Sequence, residues 1–200
     1  MKLYYTTNSP FARKVLMAAI ERKLNGSIER IILSPWAEGN PVAEVNPAGK
    51  VPTLVTDDGL ALYDSPVICE YLDSFGSQPR LFPPNGAMRW LALRQNALAD
   101  AMLDAMIARR LESRRPDGER SKGWMERQLT SVNRCLGAME SEAEKLSGAV
   151  TIGQIAIFCA LAHLDFRFAD EPWKPQHPKL AKWFKDFSAR DSAQSTIPHD

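Results

Sequence analysis

The chain has 200 residues, 44% of them hydrophobic and 24% charged, a balance that supports a sizeable core in one domain or two small ones. Its 25 basic residues against 24 acidic ones leave a net charge of +1, which gives no general attraction to nucleic acid or to an anionic membrane. The three cysteines, Cys69, Cys135 and Cys159, show no CxxC spacing; they argue against a disulfide framework and fit a reducing, cytoplasmic setting.

From the N-terminus, "KLYYT" is short and aromatic-rich and predicts a strand, while the polar run "TTNS" interrupts any secretory signal. In "PFARKVLMAAIERK" the residues Phe11, Val15 and Ala19, with Leu16, Ile20 and Leu24, recur at helical spacing. Asn25-Gly26 stops that helix, and "SIERIIL" reads as a second strand. A loop of turn formers, "SPWAEGNP", runs on to "NPAGK". "VPTLVT" and "LALY", joined by Asp57-Asp58-Gly59, predict a β-hairpin. "SPVICEYLDSFG" predicts a helix capped by Ser65, with Pro66 at its first position and Gly76 at its end. A helix between the first two strands favours a parallel pair, and the tight turn makes the last pair antiparallel.

"GSQPRLFPPNG", Gly76 to Gly86, reads as a linker, because three prolines and two glycines separate two helices. After it no strand is expected. Helices are predicted over about 87–114, 120–146, 151–168 and 178–190, with the break "RRPDGER" between the first two. The most apolar segment, 150–168, is broken by Gly153, Gln154, His163, Asp165 and Arg167, which suits a buried helix better than a membrane span. Thr151 with Gln154 allows a capping box at its start. His163, His177 and His199 are scattered, so no metal site is expected, and no phosphate-binding glycine pattern occurs.

A small mixed α/β unit of thioredoxin-like order, joined to an all-α bundle, resembles the soluble glutathione transferase family. Three motifs in series carry the resemblance: "SPFARK", "NPAGKVPTL" and "DSPVICEYL". It implies a thioredoxin-like domain over 1–77, a linker over 78–86 and an all-helical C-terminal bundle over 87–200 that forms the second-substrate site.

In the first motif Ser9 stands where the N-cap of the first helix belongs, and Pro10 suits the first helical position. The free N–H groups and positive end of a helix stabilise an anion and lower thiol pKa values. The resemblance implies that Ser9 meets the sulfur of glutathione; a helix cap alone is the plainer role. A free thiol of pKa about 8.5 is only about 3% ionised at pH 7, and lowering it by about two units takes roughly 2.7 kcal/mol. One hydrogen bond supplies about 1 kcal/mol, somewhat more to a charged acceptor, so the helix end must contribute as well. Serine in place of the "CPF" cysteine of some relatives argues against disulfide exchange by an enzyme thiol. Thr6, Thr7 and Asn8 are near enough to act as substitute donors.

In the second motif the resemblance implies a cis Val51-Pro52 bond, with the Val51 backbone pairing to glutathione like an added strand and Lys50 meeting a ligand carboxylate. Standing alone, Pro52 is also an ordinary strand-start proline and Lys50 a surface cation. In the third motif it implies that Asp64 pairs with the ligand ammonium while Ser65 holds a carboxylate. Cys69, inside that helix, reads as a small buried hydrophobe.

The second substrate, in the resemblance, lies between the domains, near Phe11, Met102, Met106 and Arg109. Met102 and Met106 share one helix face, a spacing that is also that of plain core, and Arg109 is equally a surface charge. The implied function is a glutathione S-transferase that attacks a small, largely apolar electrophile with glutathione thiolate. It is expected to act as a homodimer with glutathione as co-substrate, without metal, nucleic acid or membrane. The alternatives are a non-catalytic glutathione-transferase-like binding or regulatory protein, and a glutathione-dependent isomerase or dehalogenase.

Overall fold

Alternation in "KLYY" turns Leu3 and Tyr5 inward and forms the first strand, β1 (Lys2–Tyr5). The computed structural model describes residues 1–33, 39–75 and 79–200; Ser34 to Glu38 of the expected loop, and Gly76, lie outside the described residues. Helix α1 (Pro10–Glu21) follows, capped at Ser9 and started by proline. Next come β2 (Glu29–Ile32), a short helix α2 (Val42–Val45), β3 (Thr53–Val55), β4 (Ala61–Leu62) and α3 (Ser65–Asp73). The strands order as β2-β1-β3-β4. The β1/β2 pair is parallel, whereas β1/β3 and β3/β4 are antiparallel, as the element order demands.

The hairpin turn closes where Thr56 N–H donates to Leu60 O at 2.9 Å, and Gly59 at φ +88° supplies the left-handed residue. Helices α1 and α3 pack on each other, burying Val15, Met17, Ile68 and Leu72 completely. Cys69 is also fully buried, and all three cysteines are free.

The remaining helices are α4 (Gly86–Ser113), α5 (Lys122–Ser141), α6 (Ile152–Arg167), α7 (Pro178–Ser188) and a short α8 (Asp191–Gln194). By its packing the chain divides into two units, Met1–Trp90 with Ala189–Asp200, and Leu91–Ser188. Residues 189–200, expected in the helical domain, thus belong with the sheet. Side chains on α1 explain it: Glu21 takes two hydrogen bonds from Arg190, at 2.9 and 2.8 Å, and one from Ser192 at 2.6 Å. Arg13 donates to Ala193 O and Thr196 Oγ1 at 3.0 and 3.3 Å. Burial alone would raise the Glu21 carboxyl, but Arg190 and Ser192 outweigh it and hold it below the usual carboxylate range.

In the same unit, Arg22 and Asp73 form a buried pair, Nε 3.1 Å from Oδ1, an ionic contact without good hydrogen-bond alignment. Arg22 also donates to the carbonyls of Pro79 and Phe75, each at 2.6 Å, and Asp73 accepts from the N–H groups of Leu81 and Phe82 at 2.8 and 3.0 Å. The pair therefore fastens the proline-rich linker to α1 and α3. Losing one partner of such a buried pair typically costs about 3–5 kcal/mol.

In the helical unit, α6 is buried on every side from Ile152 to Leu164, the signature of a central helix. Gly153 is needed there: a Cβ would lie 2.8 Å from the backbone oxygen of Ala92 and 2.7 Å from Gln95 Cβ. The expected capping box does not form. The Thr151 side chain makes no cap bond, and Gln154 Nε2 donates instead to Ser147 O and Ala149 O at 3.5 and 3.4 Å. The amide satisfies the incoming loop, so Gln154 rather than Thr151 carries the local polar contact.

His163, on α6, is 6% exposed, and its Nε2 has no hydrogen-bond partner among the described residues. Burial, with Arg167 and Arg110 adding to it, pushes the imidazole down to about 4. Above pH 6.5 the ring is neutral folded or unfolded; below it the unfolded chain takes up a proton that the folded chain refuses until about pH 4. Stability should therefore fall as pH drops through that window, by about 3 kcal/mol at most for this group. Urea melts at intervals across it should show a shallower fall for His163→Leu; parallel curves would contradict this.

Candidate functional site

The strand register gathers the three sequence motifs at one end of the sheet. Tyr4 pairs with Thr53, and Leu54 pairs with Leu62. Continuing each ladder outward puts the residues after β1 beside Val51 and Pro52, and Pro52 opposite Asp64. The loop carrying Ser9, the turn before β3 and the start of α3 thus become neighbours although they are far apart in sequence.

Ser9 has extended geometry, φ −77° and ψ 120°, and its Oγ accepts a hydrogen bond from Ala12 N–H at 3.2 Å. The expected cap is therefore present. Capping uses a lone pair, and the hydroxyl proton has no acceptor among the described residues. Ser9 is half-buried, and the α1 end adds the free N–H of Phe11 close by. Phe11 is half-buried, its ring 5.9 Å from Lys14 Nζ.

The expected substitute donors are engaged elsewhere. Thr7 Oγ1 donates to His199 O at 2.8 Å, and Asn8 Nδ2 donates to Asp200 Oδ1 at 3.1 Å. Thr6 Oγ1 donates to Asn8 Oδ1 at 3.2 Å. Ser9 is the hydroxyl of this loop left with a proton to give.

The Val51–Pro52 peptide bond is cis, as the second motif leads one to expect, and Tyr63–Asp64 is also cis. Val51 is half-buried, Pro52 buried and Lys50 exposed. A residue that the sequence reading did not single out shapes this turn. Asn46, 2% exposed, donates to Lys50 O at 3.0 Å and to Thr53 Oγ1 at 2.9 Å, and accepts from Ala48 N–H at 3.0 Å. Thr53 Oγ1 donates to Lys50 O as well, at 2.9 Å. Gly49, at φ +61°, supplies the turn's left-handed residue. The signal was present in the Asn-Pro pair, since asparagine side chains commonly close such turns.

Ser65 requires a correction. The first helical bond of α3 runs from Ile68 N–H to Asp64 O at 3.0 Å, so Asp64 holds the cap position and Ser65 is the first helical residue, with Pro66 second. Asp64 makes no side-chain cap bond and is exposed, while Ser65 is 1% exposed. The N–H groups of Ser65 and Val67 are the unpaired donors of this helix end.

The residues expected at a second-substrate site are placed otherwise. Met102 and Met106 are fully buried, which makes them core. Arg109 forms a two-pronged pair with Glu171, one contact at 2.6 Å, and stacks 4.9 Å from the Phe168 ring centre, so its charge is already matched. A cavity of about 290 Å³ in the helical unit is lined by Leu129, Val132, Leu136, Leu164, Trp173 and His177 among others, and by none of those three. Among the described residues no group of three or more potential ligands could hold a metal ion, and no helix is long and apolar enough to cross a membrane.

Comparison with known proteins gives this geometry its family. Residues 8–74 match the glutathione S-transferase N-terminal domain, and residues 122–186 match the glutathione S-transferase C-terminal domain. The chain belongs to the glutathione S-transferase family. It is similar to the GST-like protein YibF of Escherichia coli strain K12, itself uncharacterised, at 33% identity over 99% of this chain and 98% of that one. A glutathione S-transferase of Methylobacillus flagellatus KT, solved with glutathione bound, is 36% identical with a TM-score of 0.94, covering 99% of both chains. A glutathione transferase family member of Pseudomonas fluorescens Pf-5, solved with S-(propanoic acid)-glutathione, is 34% identical with a TM-score of 0.92, covering all of both chains. The mixed four-stranded unit and the all-helical unit are those of this family's fold.

Asn46→Ala should remove three hydrogen bonds from a buried turn and lower unfolding free energy by about 2–3 kcal/mol in urea melts. A loss below about 0.5 kcal/mol would show that the turn holds itself.

Proposed function

We propose that this protein binds glutathione and transfers it, as thiolate, to an electrophilic carbon of a small, largely apolar substrate. The observation that carries this reading is the Ser9 hydroxyl, capped onto α1 through its lone pair and retaining an unused proton at the helix's positive end. Relatives of closely similar structure, crystallised with glutathione or its S-substituted form, support it. In this reading the thiol proton leaves to solvent, and the sulfur anion is held by the Ser9 O–H and the α1 terminus. The anion then attacks carbon, forming a C–S bond while the leaving group departs with its electron pair. The Val51 backbone pairs with the peptide beside Pro52, Lys50 meets a carboxylate, and Asp64 with the Ser65 end of α3 takes the opposite end of the tripeptide. Phe11, half-buried beside Ser9, is the residue assigned to the electrophile's side.

Titrating the ultraviolet absorbance of bound glutathione thiolate against pH tests this. Wild type should show a thiol pKa well below 8.5, and Ser9→Ala should raise it by about 1–2 units, with at least a tenfold loss of kcat at neutral pH. Absence of glutathione binding would favour a binding or regulatory protein on the same scaffold, and an unperturbed thiol would favour a carrier.

The protein is also assigned a homodimer. Val67 on α3 and Met88 and Trp90 at the start of α4 are 46%, 56% and 68% exposed. An ion pair of 2.8 Å between Glu70 and Arg89 joins the two segments that carry these exposed apolar side chains. Light scattering should give twice the chain mass for wild type and the single mass for Trp90→Glu. A monomeric wild type would overturn the assignment.

A further inference from the structure

Residues 189–200 run along α1 in the opposite direction and are fastened to it at three levels. Arg190 and Ser192 hold Glu21 at the C-terminal end of α1, and Ala193 O and Thr196 Oγ1 hold Arg13 in its first turns. His199 O and Asp200 Oδ1 then take the donors of Thr7 and Asn8, the two residues before Ser9. The middle level is itself rigid, since Thr196 Oγ1 donates to Ser192 O at 2.7 Å. The last level is different in kind from the other two. Its bonds to Thr7 and Asn8 fall on the loop that carries the hydroxyl, ahead of the first residue of α1.

We propose that His199 and Asp200 are positioning residues: by holding Thr7 and Asn8 they fix the β1–α1 loop and aim the Ser9 hydroxyl at the site of the sulfur. The inference rests on the glutathione reading for its consequence, though not for the loop order itself. Two of the three polar residues preceding Ser9 would otherwise be free to swing toward the anion as competing donors. Backbone order around Ser9 matters because a hydrogen bond to an anion weakens steeply when its angle opens. The half-buried loop's own bonds are Ser9 N–H to Thr6 O at 3.3 Å and Thr6 Oγ1 to Asn8 Oδ1 at 3.2 Å, and the outer anchors add to these. The Asp200 carboxylate bonded to Asn8 also carries a charge, whose repulsion of a thiolate has the opposite sign and must be separated from positioning.

The experiment compares wild type with Thr7→Val, Thr7→Ser, Asp200→Asn and a chain ending at Pro198. Amide hydrogen exchange of residues 6–12, without ligand, reads the loop directly. The thiol pKa of bound glutathione reads its consequence. Thr7→Val and the shortened chain should speed exchange in that loop about tenfold and raise the thiol pKa by about half a unit or more. Their melting temperatures should stay close to wild type, because the Glu21 and Arg13 levels remain. Thr7→Ser should restore both readouts, and Asp200→Asn, which keeps an acceptor, should leave exchange unchanged and lower the thiol pKa slightly. Unchanged exchange in both disrupted chains overturns the proposal. So does a thiol raised by Thr7→Val but not by shortening, since Thr7 would then donate to sulfur itself. If wild type binds no glutathione while exchange still rises, the positioning of the loop stands and the transferase reading fails.

Discussion

The hydrogen bond from Ala12 N–H to Ser9 Oγ is the contact on which the proposed chemistry depends. It satisfies one open donor of the helix, fixes the side-chain rotamer and selects which face of the oxygen remains available. A hydroxyl is amphoteric, so it can serve the helix as acceptor and a ligand as donor at once. Cap and anion-site roles are therefore complementary, not rival. The constraint propagates outward, because the β1 register sets where α1 begins and pairs with β3 to set which turn faces it.

The contacts that hold the connections at both ends of α1 are polar and largely buried. Asn46 closes the turn before Pro52, the Arg22–Asp73 pair anchors the linker, and Arg13 with Glu21 anchors residues 189–200. Loops have no apolar stripe to pack, so a buried side chain that answers several carbonyl and N–H groups takes that role. Each such group is worth little net when satisfied and is expensive to strand. That asymmetry gives a loop a single conformation without a hydrophobic core beneath it.

The same distinction explains how much was legible in the sequence. Residue patterning exposed α1, the hairpin and the largely apolar α6, and punctuation by Pro10 and Gly59 located the start of α1 and the hairpin turn. It could not expose α2 or α8, each four residues long, since one turn has no period. Ser9 was legible because capping is a local rule. Asn46 left a signal in its Asn-Pro pair, whereas Arg13 left none, because Ala193 O and Thr196 Oγ1 are brought to it by the fold. Met102 and Met106 show the limit of spacing: two methionines on one face specify a buried stripe, and nothing in that pattern distinguishes a core from the wall of a site. Ser65 shows a finer limit, because a serine followed by proline fits either the cap or the first helical position, and the carbonyl of Asp64 decided between them.

The magnitudes also show what the proposed serine site must supply. Holding a thiol about two units below its free value takes roughly 2.7 kcal/mol. A hydrogen bond to a charged acceptor gives about 1.5–3 kcal/mol, and a helix terminus about 0.3–2 kcal/mol. The hydrogen bond alone meets the requirement only near the top of its range, whereas the two together span about 1.8–5 kcal/mol and bracket it. On the proposed reading, each lost 1.4 kcal/mol of this stabilisation raises the thiol pKa by about one unit, so alignment of the hydroxyl matters. A cysteine in the same place would escape that dependence by bonding covalently to sulfur, but would commit the protein to disulfide chemistry. In the proposed reaction serine keeps the ligand's sulfur free to react with carbon, at the cost of requiring the surrounding loop to be held still.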